Sequence, residues 1–207
     1  LFWLKKYKYN RNGNIIILGA SCRKYFFSYY LGQLPSYNKK LLSLNSGLIK
    51  NINKQNFNKL VYRFHWQEGY KEIEFFKKKY PSLKISTREK TSHFYDLFFK
   101  SSLMIITTDY TTIIQSLFCN HPTILLWDNE YFEVRDSGIK YYELLHDCGI
   151  LYYDYKKCAK KINQISDDPM KWWMSDEVQK AKDNFLGNYG RISDKIEVEL
   201  AKIIKGF

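Results

Sequence analysis

Ser101 to Trp127, SSLMIITTDYTTIIQSLFCNHPTILLW, reads as strand, polar turn, helix and second buried strand, which together make one βαβ unit. Leu103 to Thr107 and Thr123 to Trp127 are short β-branched apolar runs of the kind a strand buried on both faces requires. Between them Thr108, Asp109, Tyr110, Thr111 and Thr112 stand where a helix begins. Asp109 or Thr108 is placed to cap that helix. Its first-turn N–H groups, with the hydroxyls of Thr111 and Thr112, would then face whatever lies beyond the strand's carboxyl end. Such a turn suits a diphosphate, and it equally suits a plain helix cap of small polar residues.

Two neighbouring strand ends carry polar and aromatic residues that a parallel sheet would bring to the same rim. Lys59 to Phe64, KLVYRF, is a strand that includes Arg63 and is followed at once by His65, Trp66, Gln67, Glu68 and Gly69. The strand ending at Trp127 runs into Asp128, Asn129, Glu130, Tyr131, Phe132, Glu133, Val134 and Arg135 before another helix. Ligands of open α/β sheets bind outside the carboxyl ends of the strands, so these three loops together read as a site.

The remaining chain keeps the alternation. Asn14 to Leu18 is the first strand, Gly19, Ala20 and Ser21 turn it into a helix over Arg23 to Leu31, and Pro35 starts a loop. A helix over Lys39 to Asn51 and one over Tyr70 to Lys79 flank the KLVYRF strand, and a short strand follows at Leu83 to Ser86. Thr91 and Ser92 cap a helix over Phe94 to Lys100. Beyond the central unit the spacing predicts a helix over Ser137 to Asp147, stopped by Gly149, and a last strand at Ile150 to Tyr153. A helix over Lys156 to Ser166, a break at Asp167, Asp168 and Pro169, and a turn at Met170 to Met174 precede closing helices over Asp176 to Asn188 and Ser193 to Lys205. Strands separated by helices of this length imply parallel pairing, hence an α/β doubly wound parallel sheet of about six strands.

A length of 207 residues fits one core. The chain opens on LFWLKKYKYN without an initiator Met, as a fragment, a C-terminal domain or a processed protein would. No apolar run approaches the roughly 18 to 20 residues of a membrane span. Cys22, Cys119, Cys148 and Cys158 are scattered without CxxC spacing and read as buried free thiols of a cytosolic protein. His65, His93, His121 and His146 show no metal-ligand spacing, so no zinc site is expected; His121, before Pro122, reads as a loop residue and His93 as a helix-start or surface residue. The net charge of +12 is uneven: residues 1–90 hold 19 Lys or Arg against 4 Asp or Glu. A basic half raises nucleic acid, an acidic membrane surface or an anionic substrate as partners. The lysines are dispersed among many Asn, Ile and Tyr, which points to coding bias as the main cause, and no RNP-type, KH or helix-turn-helix signature supports nucleic acid.

The order of elements resembles the C-terminal, nucleotide-sugar-binding half of GT-B glycosyltransferases, and TTDYTTIIQSLFCNHPTILLWDNEYFEVRD is similar to their donor-site segment. The phrases NHPTILLWDNEYFEVRDSGIKYYELLHDCGILYYD, DDPMKWWMSDEVQKAKDNF and YGRISD resemble a family of transferases encoded in O-antigen and surface-carbohydrate gene clusters. A weaker similarity, through Thr108 to Thr112, is to the CDP-glycerol glycerophosphotransferases of teichoic-acid synthesis. The resemblance spans residues 14–195. It implies that residues 1–207 form a single Rossmann-like nucleotide-sugar-binding domain, the C-terminal part of a longer two-domain protein.

The implied function is a glycosyltransferase-type transferase of O-antigen or lipopolysaccharide biosynthesis, cytoplasmic or peripheral at the inner face of the membrane. Its partners would be a nucleotide-sugar donor and a glycan or lipid-linked acceptor, with no metal and no cofactor. Arg63 or His65 would contact the donor phosphate, joined by Thr108, Asp109, Tyr110, Thr111 and Thr112. Glu130 or Glu133 would bind sugar or ribose hydroxyls, Trp127 and Tyr131 would stack on base or sugar, and Arg135 would pair with phosphate or carboxylate, or locally with Glu133 or Asp136. For Trp127 core packing is an equal expectation, and the Trp172 and Trp173 pair is expected to pin the terminal helices to the sheet. The family's Gly-rich loop and paired acidic ribose clamp are not evident, and no catalytic base is assigned. Two alternatives stand beside this reading: a non-catalytic or nucleic-acid-binding basic α/β module, and a sugar-nucleotide epimerase of the same fold.

Overall fold

The computed structural model describes residues 7–19, 35–64, 72–87, 94–108, 111–190 and 204. Its strands are β1 (Asn14–Gly19), β2 (Leu60–Phe64), β3 (Lys84–Ser86), β4 (Ser101–Ile106), β5 (Thr123–Leu126) and β6 (Leu151–Tyr152). All pair in parallel, in the order β3-β2-β1-β4-β5-β6. The chain steps outward from β1 to β3 and then lays β4 on the other side of β1. The strand order therefore reverses between β1 and β4, and a crevice opens at the carboxyl ends of those two strands.

Side-chain alternation along these strands feeds two separate cores. Ile15, Ile17, Leu60, Tyr62, Leu103, Ile105, Ile124 and Leu126 face α1 (Pro35–Asn51) and α7 (Tyr155–Ile165). Leu18, Met104, Ile106, Leu125 and Trp127 face α4 (Phe94–Phe99), α5 (Thr112–Phe118), α6 (Asp136–Asp147) and α9 (Asp176–Tyr189). Both sheet faces are covered, which is why the strands read as near-continuous apolar runs. The doubly wound sheet expected from the alternation is present, and α3 (Glu72–Lys79) takes its predicted place between β2 and β3.

The local readings need three corrections. Pro35 heads α1 and does not start a loop, because its fixed φ and missing N–H suit a helix's first turn. A short helix, α2 (Lys54–Phe57), precedes β2, with the Asn53 side chain accepting from Asn56 N. The Met170 to Met174 segment is helical as α8 (Pro169–Trp173): Asp168 accepts from Lys171 N and Pro169 follows it, so the supposed break is a helix start. Gly149 ends α6 as expected, at φ +78°. The expected helices over Arg23 to Leu31 and Ser193 to Lys205, the Thr91 and Ser92 cap, Cys22 and His93 lie outside the described residues. Cys119, Cys148 and Cys158 are free thiols, and burial pushes the first two up to about 12 and about 11. No helix among the described residues is long and apolar enough to cross a membrane.

The amino end of the sheet is closed by a hydrogen-bonded chain. His121 does sit in the loop between α5 and β5, but it is 0% exposed. Ser101 Oγ donates to Phe98 O at 2.7 Å, so its contact of 3.1 Å with His121 Nε2 is a ring N–H donating to the hydroxyl. That tautomer leaves Nδ1 to accept from the Tyr7 hydroxyl. Every polar atom of the neutral ring is satisfied, and burial lowers the imidazole from its usual 6.5 to about 3. The unfolded chain binds the proton more readily than the folded one. The contribution is therefore complete above about pH 6.5 and lost progressively as pH falls toward about 3. Urea unfolding between pH 6.5 and 5 should show stability falling by up to about 1.4 kcal/mol per pH unit, and His121→Gln should lose that component of the slope. An identical slope in the variant would assign the titration elsewhere.

Candidate functional site

The carboxyl rim is built differently from the amino end. Among the described residues, three buried side-chain polar atoms without a hydrogen-bond partner follow strands there: Thr87 Oγ1 after β3, Thr108 Oγ1 after β4 and Trp127 Nε1 after β5. Thr108 is 1% exposed. A buried hydroxyl left unpaired costs on the order of 1–3 kcal/mol, so such an atom is uncommon unless something else meets it. The preceding residue shows the contrast: Thr107 donates both its N–H and its hydroxyl to Leu18 O, each at 3.1 Å, locking β4 to β1.

Thr108 does not cap α5. The cap position falls on Thr111, which has helical φ and ψ of −51° and −19° and makes no side-chain cap bond. Thr108 lies three residues earlier, in the sheet edge, outside the reach of a cap to the second or third helical N–H. Thr111 is exposed and Thr112 half-buried, while Asp109, Tyr110 and His65 lie outside the described residues. A helix of seven residues carries little dipole, so the hydroxyls matter more at this turn than the helix end does.

Arg63 is fixed, 7% exposed, with Nη1 donating to Ser86 Oγ at 3.1 Å across the β2 and β3 pair. Both Arg63 and Ile106 register on Leu18, which sets β2 and β4 roughly 10 Å apart on either side of β1. Arg63 and Thr108 thus border the same stretch of rim. The backbone between them is kept low by Gly19, where a Cβ would stand 2.1 Å from the Tyr62 hydroxyl. That hydroxyl accepts from Asn45 Nδ2 at 2.8 Å.

The loop after β5 divides. Glu130 pairs with Lys40 on α1, whose ammonium is raised chiefly by that hydrogen bond, and Tyr131 lies 5.1 Å from the Tyr37 ring with Lys40 Nζ 5.0 Å above it. These two residues turn to the α1 side. Trp127 is 3% exposed, stacked on Phe132 at 5.0 Å and tilted against Tyr142 at 5.5 Å, as the packing expectation has it. With Glu133 and Arg135 it lines a pocket of about 490 Å³ on the other side, completed by Val134, Ser137, Gly138, Tyr142 and Tyr189. Arg135 and Glu133 are both exposed and make no ion pair among the described residues, so the expected local pairing of Arg135 is absent. Tyr142 and Tyr189 escaped the sequence reading, because helical aromatics look like core until the return of α9 shows which end they reach. Among the described residues no three His, Cys, Asp or Glu side chains gather as a metal site would require.

No curated protein matches the sequence significantly. Solved structures similar to it include the wall teichoic acid polymerase TagF, at 15% identity and a TM-score of 0.49, and a variant of that enzyme, at 14% and 0.46. In both the match covers 99% of this chain and 47% of the other, so the chain spans about half their length. Residues 2–204 match a transferase family across nearly the whole chain, and the protein belongs to the LIC12162 family transferases.

Proposed function

We propose that this chain is the donor-binding domain of a GT-B-type glycosyltransferase that builds surface polysaccharide, O-antigen or a related lipopolysaccharide glycan. It would take a nucleotide-activated sugar at the carboxyl rim between β1 and β4. The observation that carries the reading is the unpartnered, 1% exposed Thr108 hydroxyl at the point where the strand order reverses. Membership of a transferase family supports the reaction class.

Departure of a nucleoside diphosphate builds negative charge on the leaving oxygen, and fixed donors aimed at that charge lower the barrier without a metal. Arg63, anchored by Ser86, supplies a positive charge at one side of the crevice, and the sequence offers His65 as the alternative contact. Thr108, Thr111 and Thr112 stand on the opposing side, where hydroxyls and backbone N–H groups would meet the phosphate, and the sequence adds Asp109 and Tyr110 to that role. The catalytic base and the glycan or lipid-linked acceptor belong to a second domain, so residues 1–207 bind donor without turning it over. The protein works in the cytoplasm, at or near the inner membrane face.

Thr108→Val keeps the shape and removes the unpaired hydroxyl. The free protein should gain about 1 kcal/mol in urea unfolding while its affinity for the nucleotide falls, a divergence expected of a functional polar atom. Replacing Thr111 and Thr112 together with Val should weaken nucleotide binding by about 1–3 kcal/mol and change the melting temperature little. Arg63→Lys keeps the charge but loses the planar fork, and should weaken phosphate binding in a salt-dependent way. Calorimetric titration with CMP, CDP, UDP and GDP reads all three. Absence of heat with every nucleotide, or affinities unmoved by any of these changes, removes the site.

A further inference from the structure

We propose that the pocket between the 128–135 loop and the carboxyl end of α9 is a subsite for an uncharged sugar ring, an inference that rests on the transferase reading above. Its volume of about 490 Å³ lies within the range of small-molecule sites. The walls are aromatic but not parallel: Tyr142 is tilted 45° to Trp127 and 53° to Tyr189, and the Trp127 face is already taken by Phe132, at 23° between planes. A flat base stacks on an open ring face, and that of Trp127 is already covered by Phe132. A puckered pyranose suits such a concave wall, because its C–H edges carry the positive charge that aromatic faces attract.

The polar groups select hydroxyls. Glu133 accepts only and Arg135 donates only, so side by side they meet the donor and the acceptor of neighbouring hydroxyls. Both are exposed and neither has an ion-pair partner among the described residues, so both are available at the mouth. The charged side chains of the lining, Glu133 and Arg135, cancel, so the wall offers no net charge to an ionic ligand.

An uncharged ring reaches this place from two sources, the sugar of the donor or the terminal unit of the acceptor glycan. The test titrates the full chain with methyl glucoside, galactoside and mannoside up to about 100 mM, following the indole N–H of Trp127 and the ring of Tyr189 by NMR. At least one hexoside should give saturable shifts at both. Glu133→Gln and Arg135→Gln should each weaken it at least about fivefold with melting temperature unchanged, and the matching hexuronate should bind more weakly. Displacement of the hexoside by a nucleotide sugar but not by the bare nucleotide assigns the donor sugar, and simultaneous binding assigns the acceptor. No saturable shift with any hexoside, nucleosides shifting the same signals, or a hexuronate binding more tightly overturns the proposal. Bare CMP and UDP affinity is measured on the same variants: nucleotide binding without hexoside binding defeats this inference alone, and failure of both defeats the donor-domain reading as well.

Discussion

A parallel sheet covered by helices on both faces has no side on which to leave a polar group, so its polar demand is exported to the two ends of the strands. The ends resolve that demand with different groups. At the amino end, Ser101, His121 and Tyr7 satisfy one another in a buried chain, and Ser102 Oγ donates to Gly13 O at 3.0 Å. At the carboxyl end, Thr87, Thr108 and Trp127 keep buried polar atoms unpaired. Against a total stability of about 5–15 kcal/mol, unpaired atoms costing about 1–3 kcal/mol each are a substantial burden. The amino end keeps orphaned atoms too, Tyr9 Oη beside His121 and Asn56 Oδ1 before β2, so what sets the carboxyl rim apart is that its three follow β3, β4 and β5 in turn.

The link between the two ends runs through one asparagine. Asn120 sits at φ +51°, a conformation its short side chain tolerates, between α5 and β5. Its Oδ1 accepts from Trp173 Nε1 at 2.8 Å, Gln179 Nε2 at 3.1 Å and Lys182 Nζ at 2.9 Å. Trp173 is 0% exposed, so the expected pinning holds for α9, through a turn at the sheet's amino end, while the second closing helix lies outside the described residues. Fixing the start of α9 there also fixes where its other end arrives, and Tyr189 is thereby delivered to the pocket beside the rim. A contact made for stability positions a side chain on the functional side.

The fold was legible because periodicity and burial agree in a parallel sheet: NIIIL, KLVYRF, LMIIT and TILLW read as buried strands once helices of regular length separated them. Local errors arose where one residue type carries two meanings. Pro35 and Pro169 were read as breakers, although proline both breaks a helix and begins one. The site was legible at the level of the rim but not of individual atoms. Thr108 stood as one of five turn residues, and its lack of a partner among the described residues is a tertiary fact that no local pattern encodes. Glu130 and Glu133, three residues apart in one loop, looked equivalent, and only the packing of Tyr131 on Tyr37 and of Phe132 on Trp127 sends them to opposite sides.

That divergence gives the loop its mechanical character. Phe132 packs against both cores, so the loop after β5 is bolted across the top of the sheet at its midpoint. The Glu130 and Lys40 pair is exposed and contributes little to stability, but together with Tyr131 it ties the near half of the loop to α1. The far half is held by α6, whose first turn bonds back through Gly138 N to Arg135 O at 2.7 Å. Glu133 and Arg135 therefore project from a segment clamped on either side, and little conformational entropy is left to lose when a ligand engages them. Exposed charges on a mobile loop would hold hydroxyls weakly; the same charges on a clamped segment are preorganised, and Phe132 serves both as clamp and as part of the pocket wall.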